Sequence, residues 1–567
     1  MYFLGLSALA HNTAAALLNG SDVVAAIEES KLTRFRSAYG IPRAAIHFCM
    51  EQAQIDWRDL SAVAVANRPW HTWSRRTACH SRFLPRAPIS SAYYESKAIG
   101  ELATELNNHR IIGVMSQGSR APVLAFDHHL CHAASAFYAS GFDRTLILTS
   151  DEEGGGRSGV TAIGEAGAIR VLQSIPCHNS LAWLYSQVTE LLGFLPHEHE
   201  HKTQWLASTA APRYLDLFLR IIRQNGKPYP RLNPSYFKRG FAGRLAFSGL
   251  FYEELGIPFG RSKELPAETR AEIASSIQKA TELAFLKMLD TLRKNYNWEN
   301  LCLAGGLFLN PLLVSAIERD AGSQNVFVQP ASGNEGTALG AAYLAFQKLA
   351  KINHAPVLSH MYLGPSFTNE EIKAVLDNCK ANYRWLSSQD EIVRNTIKLL
   401  LSGKIIGWFQ GRAEFGPRAL GNRSLLASPW APYVKENLND YVKHREPFRP
   451  FALSVPEEDA GKYFEPPRSA EFMASMSKLR PEEAALLSPF SICGNLVRLH
   501  VVKREVNPIY WSLLKSFGEQ APAPVLVNSS FNLLGEPLVV SPRDAVRSYF
   551  CSGSDALIIG SFMLSKS

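Results

Sequence analysis

Short apolar segments recur at two places in the chain, with the same alternation of strand and turn. The first set covers residues 2–7, 13–18 and 23–28. The second set covers residues 145–150, 160–164 and 169–173. Each set predicts a β-meander, because apolar runs of this length between turn-forming residues are typical of consecutive antiparallel strands. Two meanders, each associated with helices, predict a duplicated α/β core in the first part of the chain.

A glycine pair follows a buried strand later in this part. The strand 301–304 leads into Gly305 and Gly306, and a helix is predicted from Asn310. Free backbone N–H groups and the helix dipole at such a turn can bind a phosphate, although glycines also occur there for conformational reasons alone. With the duplicated core, this pattern is typical of actin-like ATPases, in which the nucleotide lies in the cleft between the two halves.

The length of the chain requires more than one domain. A single core rarely serves 567 residues. A domain join is indicated by three residues that interrupt regular secondary structure, Pro356, Gly364 and Pro365. We therefore predict an N-terminal domain at 1–354 and a C-terminal domain at 355–567. The second part has its own alternation of helices and strands and is long enough to fold as an α/β unit.

Two glycine- and proline-rich segments of the second part are rich in cations. They are GWFQGRAEFGPRALGNRS (407–424) and KHREPFR (443–449), which supply Arg412, Arg418, Arg423, Lys443, Arg445 and Arg449. Arginine binds phosphate through two parallel hydrogen bonds and keeps its charge. The segments therefore predict an anion pocket. The alternative is a structural network in which these cations pair with acids such as Glu414 and Glu446.

The segment DHHLCH (127–132) places two histidines on one helical face. His128 and His132 are four residues apart and can reach one ion, so a divalent metal is one interpretation and packing is the other. A third ligand has to come from elsewhere in the fold. His11, in the first predicted turn, is a candidate general base for a hydroxyl group, or a solvated loop residue.

A second histidine-rich segment, HEHEHK (197–202), follows a predicted helix. Alternating histidines can bind metal, but in a loop we favour an exposed polar rim, with Glu200 and Lys202 as the more informative pair.

Composition limits the class of partner. The net charge of +8 comes from 59 basic and 51 acidic residues without a long run of one sign, which favours small anions over nucleic acid. The sequence shows neither a signal peptide nor an apolar run long enough to span a membrane. Its 8 scattered cysteines favour reduced thiols and a cytoplasmic location.

Six segments carry a resemblance to a known family. They are DHHLCHAASAFY (127–138), LCLAGGLFLN (301–310), EGTALGAA (335–342), GWFQGRAEFGPRALGNRS (407–424), KHREPFRPFA (443–452) and VNSSFNLLGEP (527–537). In this order they resemble the NodU/CmcH/TobZ family of antibiotic and nodulation-factor O-carbamoyltransferases. The resemblance implies an α/β fold with an N-terminal actin-like (ASKHA, TsaD-like) duplicated domain and a C-terminal YrdC-like domain.

The resemblance also implies a reaction. Carbamoyl phosphate would bind in the YrdC-like domain and, with ATP, give carbamoyl adenylate. The carbamoyl group would then pass to a hydroxyl group of a small natural-product acceptor in the TsaD-like domain. Expected partners are carbamoyl phosphate and this small-molecule acceptor, without nucleic acid or membrane, and a homodimer is an open expectation.

Site residues carried over from the resemblance fall into three sets. The catalytic set is His11, Arg418, Lys443 and Arg449. The cofactor-binding set is Lys202, Gly305, Gly306, Asn310, Arg412, Arg423, Asn528 and Ser530. The metal set, for a divalent ion of the Fe²⁺ type, is His128, His132 and Asn334.

The chain departs from the family pattern at several of these positions. Asn334 stands where the family has an aspartate that binds the metal, and an amide oxygen is a weaker ligand than a carboxylate. Asp151 or Glu335 could replace it. Trp205 stands where the family has a glycine and fills space that a nucleotide would need. These departures leave two rivals open: a relative that transfers another acyl group or forms an amide, and a non-catalytic binding protein.

Overall fold

The computed structural model describes residues 1–8, 12–36, 38–81, 88–116, 121–224, 228–239, 245–258, 265–320, 322, 325–350 and 357–566. The predicted domain boundary at 354/355 lies outside these residues. We call the part before it the first lobe and the part after it the second lobe.

The first meander is the start of a five-stranded sheet. Its strands are β1 (Tyr2–Ser7), β2 (Ala14–Asn19), β3 (Asp22–Glu28), β4 (Leu60–Val65) and β5 (Val123–Ala125). The spatial order is β3-β2-β1-β4-β5. Strands β1 to β3 pair antiparallel, whereas β4 runs parallel to β1 and β5 runs parallel to β4.

The second meander starts a sheet with the same topology. Its strands are β6 (Arg144–Gly154), β7 (Arg157–Glu165), β8 (Ala168–Pro176), β13 (Asn300–Ala304) and β14 (Asn325–Val328). The order is β14-β13-β6-β7-β8, with the first three strands antiparallel and the last two parallel to β6. The repeated topology confirms the prediction of a duplicated, actin-like α/β lobe.

Helices cover both sheets of the first lobe. They are α1 (Glu29–Thr33), α2 (Arg43–Gln52), α3 (Pro69–Ser81), α4 (Pro88–Met115), α5 (His128–Ser140), α6 (Leu181–Leu191), α7 (Glu200–Leu206), α8 (Leu215–Ile221), α9 (Gly249–Leu255), α10 (Ala267–Asn295), α11 (Pro311–Asp320) and α12 (Gly336–Ala350). Helices α5 and α12 pack together in a core rich in alanine, which lets helices and strands approach closely. Two hairpin-like pairs complete the lobe: β9 (Ile222–Arg223) with β10 (Arg231–Leu232), and β11 (Phe237–Arg239) with β12 (Leu245–Phe247).

The second lobe is built on one mixed sheet of ten strands. They are β15 (Arg384–Trp385), β16 (Ile406–Phe409), β17 (Arg423–Ala427), β18 (Ala452–Pro456), β19 (Phe464–Glu465), β20 (Met476–Leu479), β21 (Leu496–Val502), β22 (Leu526–Ser530), β23 (Ala556–Ile559) and β24 (Phe562–Ser565). The order is β15-β24-β23-β16-β17-β22-β18-β21-β20-β19. The cation-rich segments lie next to the centre of this sheet, between β16 and β17 and before β18.

Helices pack against this sheet around two apolar cores. They are α13 (Asn369–Asn378), α14 (Gln389–Leu401), α15 (Val434–Asn437), α16 (Glu457–Tyr463), α17 (Ala484–Leu487), α18 (Pro508–Gly518) and α19 (Pro542–Phe550). A π-helical turn, Leu438–Lys443, follows α15 and ends at Lys443.

Buried polar contacts dock the second lobe on the first. The ammonium group of Lys31 donates to the carbonyl oxygens of Glu414 and Gly416, each at 2.7 Å, and lies 2.9 Å from the carboxylate of Glu28. The same carboxylate accepts from the backbone N–H of Gly416 at 2.9 Å. The loop that carries Arg418 is therefore held by the first lobe as well as by its own sheet.

Among the helices of the described residues, none combines the length and apolar character needed to cross a bilayer.

Candidate active site

Two imidazoles and a carboxylate meet at the centre of the first lobe. The Nε2 atoms of His128 and His132 are 3.1 Å apart, and they lie 3.6 and 3.3 Å from Oδ2 of Asp151. All three ligand atoms fall within 4.8 Å of one another. We call these three residues the His/Asp site.

Local structure explains this placement. Asp127 caps α5 by accepting from the backbone N–H of His129, so the first turn of the helix presents the two histidines one turn apart. Asp151 lies on β6, where the register with β7 shifts between Ser150 and Gly154. A Cβ at Gly154 would lie 2.0 Å from the ring of His128, so only glycine leaves room for that imidazole.

The protonation states of the site suit a cation. Burial opposes ionisation of Asp151, but hydrogen bonds from His128 and His132 outweigh it and hold the pKa of Asp151 well below its usual value. Burial lowers the pKa of His132. A neutral imidazole and an ionised carboxylate are the forms that bind a divalent metal.

The donor set therefore fits a metal ion. Two imidazole nitrogens and one carboxylate oxygen are ligands that first-row divalent ions accept, and His132 is fully buried. Asp151 was one of two residues that could replace the aspartate missing at position 334, and it is the one placed beside the histidines. Glu335 instead accepts from the backbone N–H of Gly333, and burial and the neighbouring Glu28 raise its pKa to about 7. That Asn334 binds metal stays a prediction.

The predicted adenylate residues form a turn beside the His/Asp site. Gly305 has a φ of +106°, and a Cβ there would lie 2.2 Å from the carbonyl oxygen of Ser150. A Cβ on Gly306 would lie 3.0 Å from Oδ1 of Asp151, so this residue borders the site. The turn Gly306–Leu309, which we call the bridging turn, ends at Asn310.

Asn310 is held by side chains of the first lobe. Its Nδ2 donates to Oε1 of Gln278 at 2.7 Å, and its Oδ1 accepts from the backbone N–H of Leu313 at 3.1 Å. The structure gives Asn310 a role in capping α11, and its predicted contact with a nucleotide stays a prediction.

A group of cations forms the second site, in which Lys443 is buried and the four arginines are half-buried. We call it the cation cluster; its members are Arg418, Lys443, Arg445, Arg449 and Arg498. Burial and the neighbouring arginines lower the pKa of Lys443 and of Arg498 well below their usual values. Burial, with Arg449, lowers the pKa of Arg418 to about 10, although Glu335 opposes the shift. The five side chains are thus close enough to repel one another.

The cluster lacks internal partners that would neutralise it. In the described part of the chain, Nε and Nη2 of Arg498 and Nε of Arg449 are buried without a hydrogen-bond partner. The nearest acid, Glu446, lies 4.0 Å from Arg449 and 2.7 Å from the ammonium group of Lys202. Because buried donors are normally satisfied, these unused N–H groups point to an anionic ligand.

Arg498 belongs to the cation cluster but was not among the site residues predicted from the sequence. It lies on β21, whose strand neighbour β18 follows the segment KHREPFR. The sequence feature that could have identified Arg498 is the segment 492–498, which corresponds to a family motif that ends in arginine.

Lys443 and the end of β22 meet at one edge of the cluster. The Lys443 ammonium group donates to Oδ1 of Asn532 at 2.6 Å and to the carbonyl oxygens of Ser530 and Asn532 at 2.9 and 3.0 Å. Asn528 donates to Ala419, while its Oδ1 is buried without a partner among the described residues. Lys443 therefore meets Ser530 at the end of β22, two residues after Asn528 on the same strand. That these three residues share one ligand site stays a prediction.

Two predicted cofactor-binding arginines have a different environment. Arg423 donates to the carbonyl oxygens of Gln410, Asn422, Pro365 and Gly411. Arg412 donates to the carbonyl oxygens of Gly364, Val24 and Leu363. These contacts use most of the N–H groups of both residues to hold the loop and to join the lobes, although Nε of Arg423 is buried without a partner among the described residues. That the two arginines bind a ligand stays a prediction.

The acids of the alternative interpretation do not neutralise the cations. Oε1 of Glu414 accepts from the backbone N–H groups of Leu420, Asn422 and Arg423 at 2.8, 3.0 and 3.1 Å. Glu414 therefore shapes the loop. Lys202 pairs with Glu446, so this predicted cofactor-binding residue links α7 to the cation-rich segment.

The remaining predictions concern two histidine-bearing segments. His197 contacts Oε2 of Glu152 through Nδ1 at 2.6 Å and is half exposed, as expected for a polar rim. The rest of the segment is half-buried and α7 begins at Glu200, so the prediction of an exposed loop is wrong from that residue onward. His11, the predicted general base, lies outside the described residues.

The two sites are joined through the bridging turn. Nη2 of Arg418 donates to the carbonyl oxygen of Leu309 at 2.8 Å. Gly306, at the other end of the same turn, borders Asp151. One turn of backbone thus separates the cation cluster of the second lobe from the His/Asp site of the first.

Fold and geometry together define a class: an α/β protein in which an actin-like lobe with a histidine-rich site adjoins a lobe with an anion pocket. The chain belongs to the carbamoyltransferase family. The family model for the carbamoyltransferase N-terminus matches residues 2–343, and the model for the carbamoyltransferase C-terminus matches residues 397–566. The chain is therefore a transferase, as predicted.

Individual relatives support this assignment over most of the chain. A protein of Synechocystis sp. without an assigned function is 34% identical over 100% of this chain and 97% of its own length. Nodulation protein NolNO of Sinorhizobium fredii is 32% identical over 98% of this chain and 79% of its own length. The 3'-hydroxymethylcephem-O-carbamoyltransferase of Amycolatopsis lactamdurans is 32% identical over 46% of this chain and 48% of its own length.

Proposed function

We propose that this protein transfers a carbamoyl group from carbamoyl phosphate, by way of carbamoyl adenylate, to a hydroxyl group of a small natural product. The observation that carries the proposal is the cation cluster with unused N–H groups, placed one turn of backbone away from the His/Asp site. Family membership supports the carbamoyl group, and the O-carbamoyltransferase name of the cephem relative supports a hydroxyl acceptor.

The cation cluster suits a small phosphorylated acid. Carbamoyl phosphate carries a phosphate that can accept from Arg498 and Arg449, and a carbonyl oxygen that can accept from a further donor such as Arg418. Each hydrogen bond between these charged groups is worth about 1.5–3 kcal/mol. Binding would also relieve the mutual repulsion that lowers the pKa values of the cations.

The reaction balances in three steps. Water attacks carbamoyl phosphate, and carbamate and inorganic phosphate are released. An oxygen of carbamate attacks the α-phosphorus of ATP, and pyrophosphate leaves. The acceptor hydroxyl oxygen then attacks the carbamoyl carbon, the bond to AMP breaks, and the hydroxyl proton passes to a base, for which His11 is our candidate. Because carbamate and its adenylate react with water, the short route between the sites favours transfer over hydrolysis.

The first lobe would receive the activated group. His128, His132 and Asp151 would hold a divalent metal there, which supplies a Lewis acid for negative charge on phosphate oxygens. Gly306 leaves open space beside Asp151, and the backbone of the bridging turn can approach a ligand closely. The identity of the metal as Fe²⁺ stays part of the proposal.

The test is the formation of AMP and pyrophosphate by the purified protein with ATP and carbamoyl phosphate. We expect pyrophosphate to form only when both substrates are present, and we expect Arg449→Ala to abolish it. Arg543→Ala is the matched control, because Arg543 is an exposed arginine of the same lobe. Wild-type protein that forms no pyrophosphate from these substrates would contradict the proposal and leave the two rivals.

The rivals give different results in the same assay. A relative that uses another acyl donor would form pyrophosphate when a different small acid replaces carbamoyl phosphate. A binding protein would bind carbamoyl phosphate in calorimetry without any turnover. Incubation with hydroxylated metabolites of neighbouring biosynthetic steps would then identify the acceptor.

A further inference from the structure

Trp205 of the first lobe lies against the cation cluster of the second. It is near the end of α7 and only 4% exposed. The guanidinium carbon of Arg498 lies 5.9 Å from the centre of its ring. Arg498 has no acid to pair with in the cluster, so this aromatic face is the observed contact that stabilises its charge, and the contact comes from the other lobe.

Apolar residues of both lobes surround this contact. Trp205, Leu312 and Met476 are buried together, and Phe448, Ile492 and Leu496 pack on them. We call these six residues the interlobe seal. Trp205 and Leu312 belong to the first lobe and the other four to the second, so the seal exists only while the lobes are closed. Its apolar surface excludes water next to the unused N–H groups of Arg498.

The seal also touches the route between the two sites. Leu312 is in the first turn of α11, directly after the bridging turn and Asn310. On the opposite side, His201 precedes Trp205 by one helical turn, and burial and Arg449 lower the pKa of His201 to about 2. Trp205 thus contacts Arg498 of the donor site and packs with Leu312, which follows the turn that leads to Asp151.

We propose that Trp205 is a positioning and specificity-determining residue: its ring holds the Arg498 guanidinium for a small anion, and the seal keeps water from the activated carbamoyl group. This inference rests on the proposed function. A bulky ring in this place limits the cluster to a small phosphorylated acid. Opening the seal would let water attack the carbamoyl carbon of the adenylate, which releases AMP and carbamic acid, and the latter decomposes to carbon dioxide and ammonia.

Trp205→Leu and Trp205→Phe test this inference through two measurements. The first is binding of sulfate by calorimetry, which requires no chemistry. We expect about tenfold weaker binding in Trp205→Leu and a smaller loss in Trp205→Phe, since leucine removes the aromatic face and phenylalanine keeps a weaker one. The second is AMP formation from ATP and carbamoyl phosphate without acceptor, which we expect to rise several-fold in Trp205→Leu.

Trp298 offers a matched control. It is also buried at 5% exposure, and the guanidinium of Arg293 lies 4.5 Å from its ring, but it belongs to the core of the first lobe. Trp298→Phe should change neither measurement. The circular dichroism spectrum and thermal stability of every variant show whether it is folded.

The outcomes separate the inference from the function on which it rests. Sulfate affinity and acceptor-independent AMP formation that match wild type in folded Trp205→Leu would overturn the inference alone. Wild-type protein that forms no pyrophosphate from ATP and carbamoyl phosphate would overturn the proposed function, and with it the shielding role. Weaker sulfate binding in Trp205→Leu would still support the positioning of Arg498.

Discussion

Arg418 and Leu309 are joined across the lobes by a hydrogen bond of 2.8 Å from the guanidinium Nη2 to the backbone carbonyl oxygen. Arg418 belongs to the cation cluster, and Leu309 ends the turn whose first residue borders Asp151. Because Arg418 donates one N–H group to Leu309 of the opposite lobe, its other N–H groups are available to a ligand. Closure of the lobes and assembly of the donor site are therefore coupled.

The charge of Arg498 should cost stability in the absence of a ligand. We expect Arg498→Met to unfold at higher temperature than wild type, because an uncompensated buried charge is replaced by an apolar side chain, with a gain of about 1–4 kcal/mol. Sulfate should raise the melting temperature of wild type and have little effect on the variant. Differential scanning calorimetry with and without sulfate measures both, and a less stable variant that still responds to sulfate would refute the prediction.

Anion binding should be linked to proton uptake by Lys443. Burial and the neighbouring arginines depress the pKa of this lysine in the free protein. At a pH between the depressed and the ordinary pKa, the side chain of Lys443 is therefore only partly protonated. A bound sulfate offsets the repulsion and raises the pKa, and protons are then taken up at a pH between the depressed and the ordinary pKa of the lysine. Calorimetry in buffers of different ionisation enthalpy measures the uptake.

Lys443→Arg is the control for this linkage, because arginine keeps its charge throughout the accessible pH range. Sulfate binding with no proton uptake in wild type, or with equal uptake in the variant, would show that another group titrates.

The His/Asp site should hold one divalent ion per chain. Asp151→Asn should weaken metal binding by more than the roughly 10–100-fold that loss of an outer-shell partner costs, because a ligand is neutralised. Elemental analysis of purified protein and metal titration of the stripped form measure the content and the affinity.

Two variants locate the third ligand. Asn334→Ala should keep the ion if Asp151 completes the site, whereas loss of the ion would restore Asn334 as a ligand. His197→Ala, at the exposed start of the histidine-rich segment, should also keep it. Metal-free protein with full activity would remove the metal from the mechanism.

The Lys31–Glu28 pair should dominate the attachment of the Arg418 loop. Lys31→Met leaves a buried carboxylate and two carbonyl oxygens without their donor, with an expected loss of about 3–5 kcal/mol. The double variant with Glu28→Gln should recover part of this loss, because the unpaired charge is removed as well. Denaturant unfolding gives the free energies of the four proteins in the cycle.

An exposed ion pair between a lysine and a carboxylate serves as the reference for this double-mutant cycle. Lys373 lies 2.6 Å from Asp377 on α13, and Lys373→Met should cost much less stability than Lys31→Met, because the pair is exposed to solvent. Strictly additive losses for Lys31 and Glu28 would contradict a coupled interlobe contact.

Local patterns explain which predictions held. The meander segments were recognised because strand and turn preferences act over a few neighbouring residues, and the observed strands β1 and β6 begin within one residue of the expected positions. The partnership of His128 and His132 followed from helical spacing alone. The composition of the cation-rich segments predicted an anion site.

Local sequence patterns could not predict the direction in which each cationic side chain points. Arg412 and Arg423 lie in the same segment as Arg418, yet most of their N–H groups are taken by carbonyl oxygens of distant residues. Arg498 comes from a strand outside the cation-rich segments and completes the cluster because β21 pairs with β18. Likewise, Asp151 lies beside the two histidines because β6 packs against α5, and its replacement of the expected aspartate as a metal ligand stays a prediction.

The amino-acid sequence by itself determined the repeated strands, the helical histidine pair and the supply of guanidinium groups, since each depends on residues within a few positions of one another. The tertiary structure alone decided which arginines keep free N–H groups, which carboxylate joins the histidines and where Trp205 meets Arg498. Those choices depend on contacts between residues of different elements, often far apart in the chain, and burial sets their energies only when both lobes are packed.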